Sequence, residues 1–145
     1  MIVSAVPTEH VAHAWKAAGP LLDGAVEYAE DRFDSFSLFQ KCVNGEYRLW
    51  IAFEDDIEEI VAAFTTQIVE YPKRKALAIH WVGGKPGTLH QWYGPVCEVL
   101  ERVGKELGCD HLEAHGREEW VGQHTRHGWK KKYVTCEKEL TDGWR

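Results

Sequence analysis

Residues 75–110 decide the fold, and they read KALAIHWVGGKPGTLHQWYGPVCEVLERVGKELGCD. The first part, Lys75–Val82, is mostly apolar and predicts a strand. Glycines and a proline within residues 83–87 end this pattern and predict a loop. Apolar residues then recur at helical spacing up to a stop at Gly108, namely Leu89, Trp92, Val96, Val99, Leu100, Val103 and Leu107. The stretch therefore predicts a strand, a loop and a helix, with a kink or a late helix start at Gly94-Pro95.

A predicted meander precedes this stretch, and a further strand follows it. Tyr47–Glu54 alternates between two faces and Glu59–Tyr71 is rich in β-branched residues, so both predict strands. Their connections to each other and to Lys75–Val82 are too short for crossovers, which makes the three strands antiparallel. His111–His115 predicts a strand that is reached through a helix. We therefore expect it beside Lys75–Val82 and parallel to it.

The rest of the chain predicts helices and two outer strands. These elements are a strand at Ile2–Val6, a helix capped by Thr8, a second helical piece at Leu21–Ala29, a helix capped by Asp34 or Ser35, a short helix at Glu118–His127 and a last strand at Lys130–Leu140. Gly19-Pro20 separates the first two helices. The order β-α-α-β-β-β-α-β-α-β predicts an α/β fold with a single mixed sheet flanked by helices. No repeat or linker divides the chain, so we expect one domain over residues 1–145.

Composition excludes several classes of protein. The 145 residues are 44% hydrophobic and 12% aromatic, which excludes a disordered chain. The 23 acidic and 17 basic residues give a net charge of −6, which argues against a nucleic-acid partner. No apolar run reaches the 18 or so residues of a membrane helix, and the N-terminal sequence lacks the pattern of a signal peptide. We therefore expect no membrane partner and a cytoplasmic location.

The C-terminal third carries a resemblance to a known family. Arg126-His127-Gly128-Trp129-Lys130 is similar to the Gly-Phe helix end and following strand of the GNAT superfamily of N-acetyltransferases. The element order, with a glycine-containing loop after the fourth strand, also resembles that superfamily. Trp81-Val82-Gly83-Gly84, Gly108-Cys109 and Gly116-Arg117 resemble a GNAT-like group encoded by tailed phages and prophages. The resemblance implies an acyl-CoA-dependent N-acyltransferase that uses acetyl-CoA and acts on an amine-bearing small molecule or protein.

The loop after the fourth strand is the implied cofactor site. GNAT enzymes hold the coenzyme A pyrophosphate with a Gln/Arg-x-x-Gly-x-Gly/Ala loop whose amides open onto a helix N-terminus. The implied cofactor-binding residues here are Gly83, Gly84, Lys85, Gly87 and Thr88. Pro86 removes one donor and the family spacing is missing. A phosphate cradle and a plain turn both remain open.

The resemblance also implies an acid and a base. In the family, a tyrosine of the fourth helix protonates the departing thiolate, and counting back from Gly128 puts His124 at that position. An imidazole can donate a proton near neutral pH, although His124 also fits a solvated helix residue. The base that takes the proton of the amine is assigned to Glu70 or His80 on the central strands, with Glu113 as a third choice. Strand residues of these types are also common on solvated faces.

Two alternatives complete the predictions. Cys109, His111 and His115 lie close in sequence but fit no zinc-binding spacing, so no metal site is predicted. The missing phosphate motif and the missing tyrosine favour a non-catalytic GNAT-like protein of phage type, used in virion assembly, packaged, or interacting with a host. Its partner would be a phage or host protein, and its location the host cytoplasm or the virion. Whether the chain is an enzyme is open at this point, as is homodimerisation.

Overall fold

The computed structural model describes residues 1–27, 32–54, 59–116 and 119–140. These residues belong to two compact units, Met1–His115 and Gly116–Arg145. The single domain over residues 1–145 stays a prediction.

The first unit is built on one five-stranded sheet. Its elements are β1 (Ile2–Ala5), a 3₁₀ turn (Thr8–His10), α1 (Val11–Glu27), α2 (Ser35–Val43), β2 (Arg48–Phe53), β3 (Ile60–Glu70), β4 (Lys75–Gly84), α3 (Leu89–Glu106) and β5 (His111–Ala114). The strand order is β1-β2-β3-β4-β5, with antiparallel pairs except for the parallel pair β4–β5. The α/β class, the meander and the parallel neighbour of β4 are confirmed.

Helix α1 differs from the prediction because it is continuous. Pro20 lies inside it and cannot donate an amide hydrogen bond, yet the helix does not break there. Around the proline, Ala18 and Leu22 are at most 1% exposed and Gly19 is buried. Burial of this segment against the sheet outweighs the lost hydrogen bond, which local sequence rules do not include.

The starts of α2 and α3 follow different local rules. Asp34 caps α2, because Ser37 N–H donates to Asp34 Oδ1 at 2.7 Å and Asp34 N–H donates to Ser37 Oγ at 3.0 Å. This outcome agrees with one of the two predicted caps. Helix α3 begins at Leu89 and runs past Pro95, so the late start predicted at Gly94-Pro95 does not occur.

The sheet has two faces, named here for the helices that cover them. The α1 face carries Leu49 and Ala63, which pack in one cluster with Leu22 of α1 and Leu38 of α2. The α3 face carries Trp50 and Phe64, Leu77, Leu112 and Gly84, of which Leu112 lies beside Gly104 and Gly84 beside Trp92, both in α3. Because side chains alternate along a strand, His111 and Glu113 of β5 lie on the α1 face.

The second unit contains one helix among its described residues, α4 (Glu119–Thr125), which confirms the predicted short helix. The last predicted strand, Lys130–Leu140, is not formed, since residues 129–140 carry neither helix nor strand. A strand needs a neighbouring strand for its hydrogen bonds, which the local pattern of residues cannot supply. Within the described ranges, no helix is both long and apolar enough to cross a bilayer.

Candidate functional site

A β-bulge in β4 organises the candidate site. Phe64 pairs with Val82 and Thr66 pairs with Ile79, so His80 and Trp81 lie together opposite the single residue Thr65. In a regular strand two consecutive side chains point to opposite faces, whereas a bulge puts both on one face. His80 and Trp81 both lie on the α1 face, where they contact neighbouring aromatic rings.

The edge of β4 beyond the bulge has no strand beside it. The pairing with β5 covers Ala76–Ile79, and the last hydrogen bond runs from His115 N–H to Ile79 O at 3.2 Å. Strand β4 continues to Gly84, so residues 80–84 leave one edge without a strand partner in the described part of the chain. Backbone donors and acceptors along such an edge are available to an extended ligand.

The loop after β4 is a tight turn. Thr88 N–H donates to Lys85 O at 3.2 Å, and Gly87, two residues after Lys85, has φ +76°. Pro86 followed by Gly87 at a positive φ is the pattern of a type II turn. The plain-turn interpretation therefore accounts for Pro86 and Gly87.

Internal contacts also use three of the other implied cofactor residues. A Cβ at Gly83 would overlap the backbone oxygen of Leu21, and one at Gly84 would lie 2.9 Å from Trp92. The Lys85 ammonium pairs with the Glu59 carboxylate. These three positions have structural reasons that do not involve a phosphate.

Thr88 precedes α3 but does not cap it. Its hydroxyl donates to Lys85 O at 2.6 Å and accepts from Trp92 Nε1 at 3.0 Å. Neither the Thr88 side chain nor any other group among the described residues accepts a hydrogen bond from the backbone amides of Gly87, Leu89 and His90. Unpaired amides at the positive end of an 18-residue helix favour an anion.

His80 is held between two rings and by one side-chain amide. Its ring stacks on Tyr47 with centroids 5.2 Å apart and on His115 with centroids 5.4 Å apart. His80 Nε2 lies 3.1 Å from Gln67 Oε1, which only accepts, so Nε2 carries the hydrogen. In neutral His80 the other nitrogen, Nδ1, then holds a lone pair, and it has no hydrogen-bond partner in the described ranges. Such an atom can accept a proton.

Burial makes neutral His80 the favoured form. Burial lowers the pKa of His80 below its ordinary value, the neighbouring His115 lowers it further, and Glu113 opposes both effects. At neutral pH the imidazole is therefore unprotonated, as a base requires.

Glu113 collects three hydrogen bonds beside this imidazole. Tyr71 OH donates to Oε2 at 2.9 Å, His115 Nε2 lies 3.1 Å from Oε2, and His111 Nε2 lies 2.8 Å from Oε1. Burial raises the pKa of Glu113, but the hydrogen bonds from His111, His115 and Tyr71 together outweigh it and the pKa is lowered. In the part of the chain that is described, no three His, Cys, Asp or Glu side chains are arranged to hold a metal ion.

Solved acetyltransferase structures share this architecture. One named as "a probable acetyltransferase" aligns with TM-score 0.74 and 10% identity over 99% of this chain and 100% of that one. An aminoglycoside acetyltransferase, meta-AAC0020, from an uncultured soil metagenomic sample aligns with TM-score 0.70 and 12% identity over 97% and 96%. The chain has the GNAT fold. A ribosomal-protein-alanine N-acetyltransferase from Brucella melitensis biovar Abortus 2308 aligns with TM-score 0.70 and 13% identity over 97% of this chain and 100% of that one. No protein-family model matches the sequence, and no curated protein matches it significantly.

In this GNAT fold, two of the predicted bases, Glu70 and His80, lie far apart. Glu70 pairs with Lys75 at the β3–β4 hairpin and is exposed, whereas His80 lies at the bulge. Five strand residues put the hairpin about 17 Å along β4 from His80. The role of Glu70 stays a prediction, and no contact among the described residues links it to His80.

His124 lies in the second unit of the GNAT-fold chain, between two tryptophans. Its ring centroid is 5.8 Å from that of Trp120 and 5.0 Å from that of Trp129. Burial, and secondly His127, lower the pKa of His124. His124 is therefore half-buried instead of solvated, and its role as a proton donor stays a prediction.

Sequence reasoning missed Gln67 and Tyr71, and it considered His115 only as a metal ligand. Gln67 fixes the tautomer of His80, His115 stacks on it, and Tyr71 binds Glu113 from the neighbouring hairpin. Tyr71 and Glu113 are 42 positions apart in the sequence. The one local signal was the spacing of His111, Glu113 and His115, which puts all three on one face of a strand.

Proposed function

We propose that this GNAT-fold chain is an acyl-CoA-dependent N-acyltransferase that acts on an amine. The observation that carries the proposal is the free edge of β4 at residues 80–84, which lies between the His80 imidazole and the start of α3. At the His80 end this edge offers a base, and at the α3 end it offers backbone amides that can bind an anion. A thioester with a phosphorylated tail needs both features in this order.

The residues at the start of α3 fit a phosphate group through the backbone. The amides of Gly87, Leu89 and His90 would hold it, because they lack partners among the described residues. Lys85 would contribute little while Glu59 neutralises it. When bound, acetyl-CoA supplies an acyl group activated as a thioester.

The chain's own residues would prepare the acceptor. Nδ1 of neutral His80 takes one proton from the ammonium group of the acceptor, and Gln67 holds the opposite ring nitrogen. The lone pair freed on the acceptor nitrogen would then bond to the thioester carbonyl carbon as the carbon–sulfur bond breaks. The second proton that the nitrogen must lose to become an amide would go to the departing thiolate, which leaves as a thiol. The acceptor is an amine-bearing small molecule or protein, and the proposed place of the reaction is the cytoplasm.

Calorimetric titration with acetyl-CoA tests cofactor binding. We expect a measurable dissociation constant, and a several-fold tighter one in Glu59→Gln, because this change releases the Lys85 charge toward the phosphates. Lys85→Gln serves as the matched control and should change wild-type affinity less than two-fold. Absence of binding at millimolar acetyl-CoA would contradict the proposal.

Acetyl transfer to a panel of amines, followed by mass spectrometry, tests the reaction itself. His80→Gln should lower turnover by about 10²-fold or more while acetyl-CoA affinity stays within a few-fold. The control Glu70→Gln should leave turnover unchanged, since its residue lies at the far hairpin. Equal turnover in His80→Gln and wild type would remove His80 from the proposed mechanism.

The alternative function is a non-catalytic GNAT-fold protein of phage type, used in virion assembly, packaged, or bound to a host protein. It is favoured by one specific observation, the Lys85–Glu59 ion pair, which neutralises the one cation of the implied cofactor loop. Its location would be the host cytoplasm or the virion. A chain that binds no acetyl-CoA yet co-purifies with virions would support this alternative.

A further inference from the structure

His80 is the middle ring of a stack of three. Tyr47 stacks on its imidazole at 5.2 Å with an interplanar angle of 24°, and His115 stacks on it at 5.4 Å and 21°. Tyr47 precedes β2 and His115 follows β5, and these two strands lie on opposite sides of β4, so the two rings approach His80 from opposite sides. Phe33 extends the stack behind Tyr47 at 6.4 Å. Both flat sides of the His80 ring are therefore occupied, and only its edge, which carries the two nitrogens, is left for chemistry.

His115 is held in this stack by a carboxylate that is itself fixed. Glu113 Oε2 lies 3.1 Å from His115 Nε2, and Tyr71 OH donates to the same oxygen at 2.9 Å. His111 Nε2 lies 2.8 Å from the other oxygen. Tyr71 of the hairpin and His111 of β5 thus orient the Glu113 carboxylate, which in turn orients the His115 ring against His80.

The arrangement distributes charge unequally between the two imidazoles. A proton on His115 lies beside the Glu113 carboxylate, whereas a proton on His80 lies in a half-buried position where Nε2 faces an uncharged amide. Two positive charges at a ring separation of 5.4 Å repel each other. A positive charge on His115 therefore makes protonation of His80 less favourable.

We propose that His115, oriented by Glu113, is a positioning residue that holds the His80 ring and keeps it unprotonated, so that an acceptor arriving as an ammonium ion gives its proton to Nδ1. The role in catalysis rests on the proposed N-acyltransferase function. The electrostatic coupling of the two histidines does not, and it is measurable in the protein without any substrate.

Among the described residues, contacts or charge effects on His80 come from the following groups. Tyr47 faces it from the start of β2, the uncharged Gln67 from β3, and His115 with Glu113 from β5. His111 touches the same carboxylate but stacks on Tyr71 at 6.4 Å instead of on His80. His111 is thus a matched control, with the same residue type, strand and partner but no contact with His80.

Titration of the histidine ring protons by NMR in the free protein tests the coupling. We expect His115→Gln to raise the pKa of His80 by about 0.5 to 1, a modest change because the His115 side chain is 58% exposed and its charge is screened by solvent. His115→Phe keeps a ring on His80 without a charge and should also raise it. His111→Gln should leave it within about 0.2. An unchanged pKa of His80 in both His115 variants, or an equal rise in His111→Gln, would overturn the proposal.

The pH dependence of acetyl transfer tests the catalytic part. In His115→Gln the acidic limb of kcat/KM should move to higher pH by the same amount as the pKa of His80 measured by NMR, with turnover at pH 8.5 or above within about three-fold of wild type. A purely structural role of His115 would lower turnover equally at every pH, which would contradict the proposal. If the protein transfers no acyl group, the proposed function is contradicted. The electrostatic coupling of the two histidines is still decided by the NMR titration alone.

Discussion

Gly83 of β4 lies directly against the backbone carbonyl oxygen of Leu21 in α1. A Cβ at position 83 would overlap this oxygen, and Leu21 sits in the middle of a continuous helix that cannot yield locally. Close approach of helix α1 to the sheet therefore requires glycine at this position. The resemblance implied that Gly83 belongs to a phosphate cradle, and the packing of α1 on the sheet gives this glycine a structural role.

Gly83→Ala should consequently destabilise the protein strongly. We expect the free energy of unfolding in urea to fall by at least about 3 kcal/mol, because backbone must move apart on both sides of the contact. Gly24→Ala is the matched control, since Gly24 also lies in α1 and a Cβ there meets nothing within 4 Å outside its chain neighbours. It should be neutral or stabilising by up to about 1 kcal/mol. Equal stability of the two variants would contradict the packing of α1 on β4.

Stability should depend on pH through His80 and His124. Burial lowers the pKa of both in the folded state, so the unfolded chain binds more protons between those lowered values and the ordinary value of about 6.5. Their neutral forms therefore contribute stability in full above about pH 6.5, and this contribution is lost as the pH falls below it. We expect the Tm to fall between pH 7 and pH 5.5, and to fall less in His80→Gln. A Tm that rises on acidification over this range would contradict the burial of the two rings.

The cysteines should differ in reactivity. Burial raises the pKa of the Cys42 thiol to about 12, whereas Cys136 is exposed. The thiolate is the reactive form, so iodoacetamide at pH 8 should modify Cys136 within minutes and leave Cys42 unmodified until the protein unfolds. Peptide mass spectrometry with and without denaturant measures this difference. Rapid modification of Cys42 in the folded protein would show that the core cluster does not enclose this residue of α2.

His124→Phe tests the proton donor implied by the GNAT resemblance. Phenylalanine keeps a ring between Trp120 and Trp129 but cannot donate a proton. If His124 protonates the thiolate, turnover should fall at least ten-fold while acetyl-CoA affinity stays within a few-fold. Because burial lowers the pKa of His124, its acid form is scarce at neutral pH and its contribution should grow as the pH falls. Equal turnover in variant and wild type at pH 6 would identify His124 as a packing residue.

The sequence by itself predicted the antiparallel meander of β2, β3 and β4 and the place of β5, but not that β1 pairs with β2. Three local properties carried this prediction: the alternation in Tyr47–Glu54, the short connections and the helical spacing before Gly108. Each is visible in the order of residues within one short segment. The parallel placement of β5 beside β4 was predicted from the resemblance together with the helix between the two strands, which is how parallel neighbours are usually connected. The cap at Asp34 was also readable, because its partner Ser37 is three residues away.

Only the tertiary structure decided what surrounds the candidate site. The bulge that puts His80 and Trp81 on one face depends on pairing with β3, and the ion pair of Lys85 with Glu59 depends on a residue 26 positions earlier. The last strand predicted from residues 130–140 is not formed, since a strand exists only with a neighbour. Local periodicity fixes which face of an element is apolar, whereas the pKa, the tautomer and the partners of a side chain are set by atoms that the fold brings from distant parts of the chain.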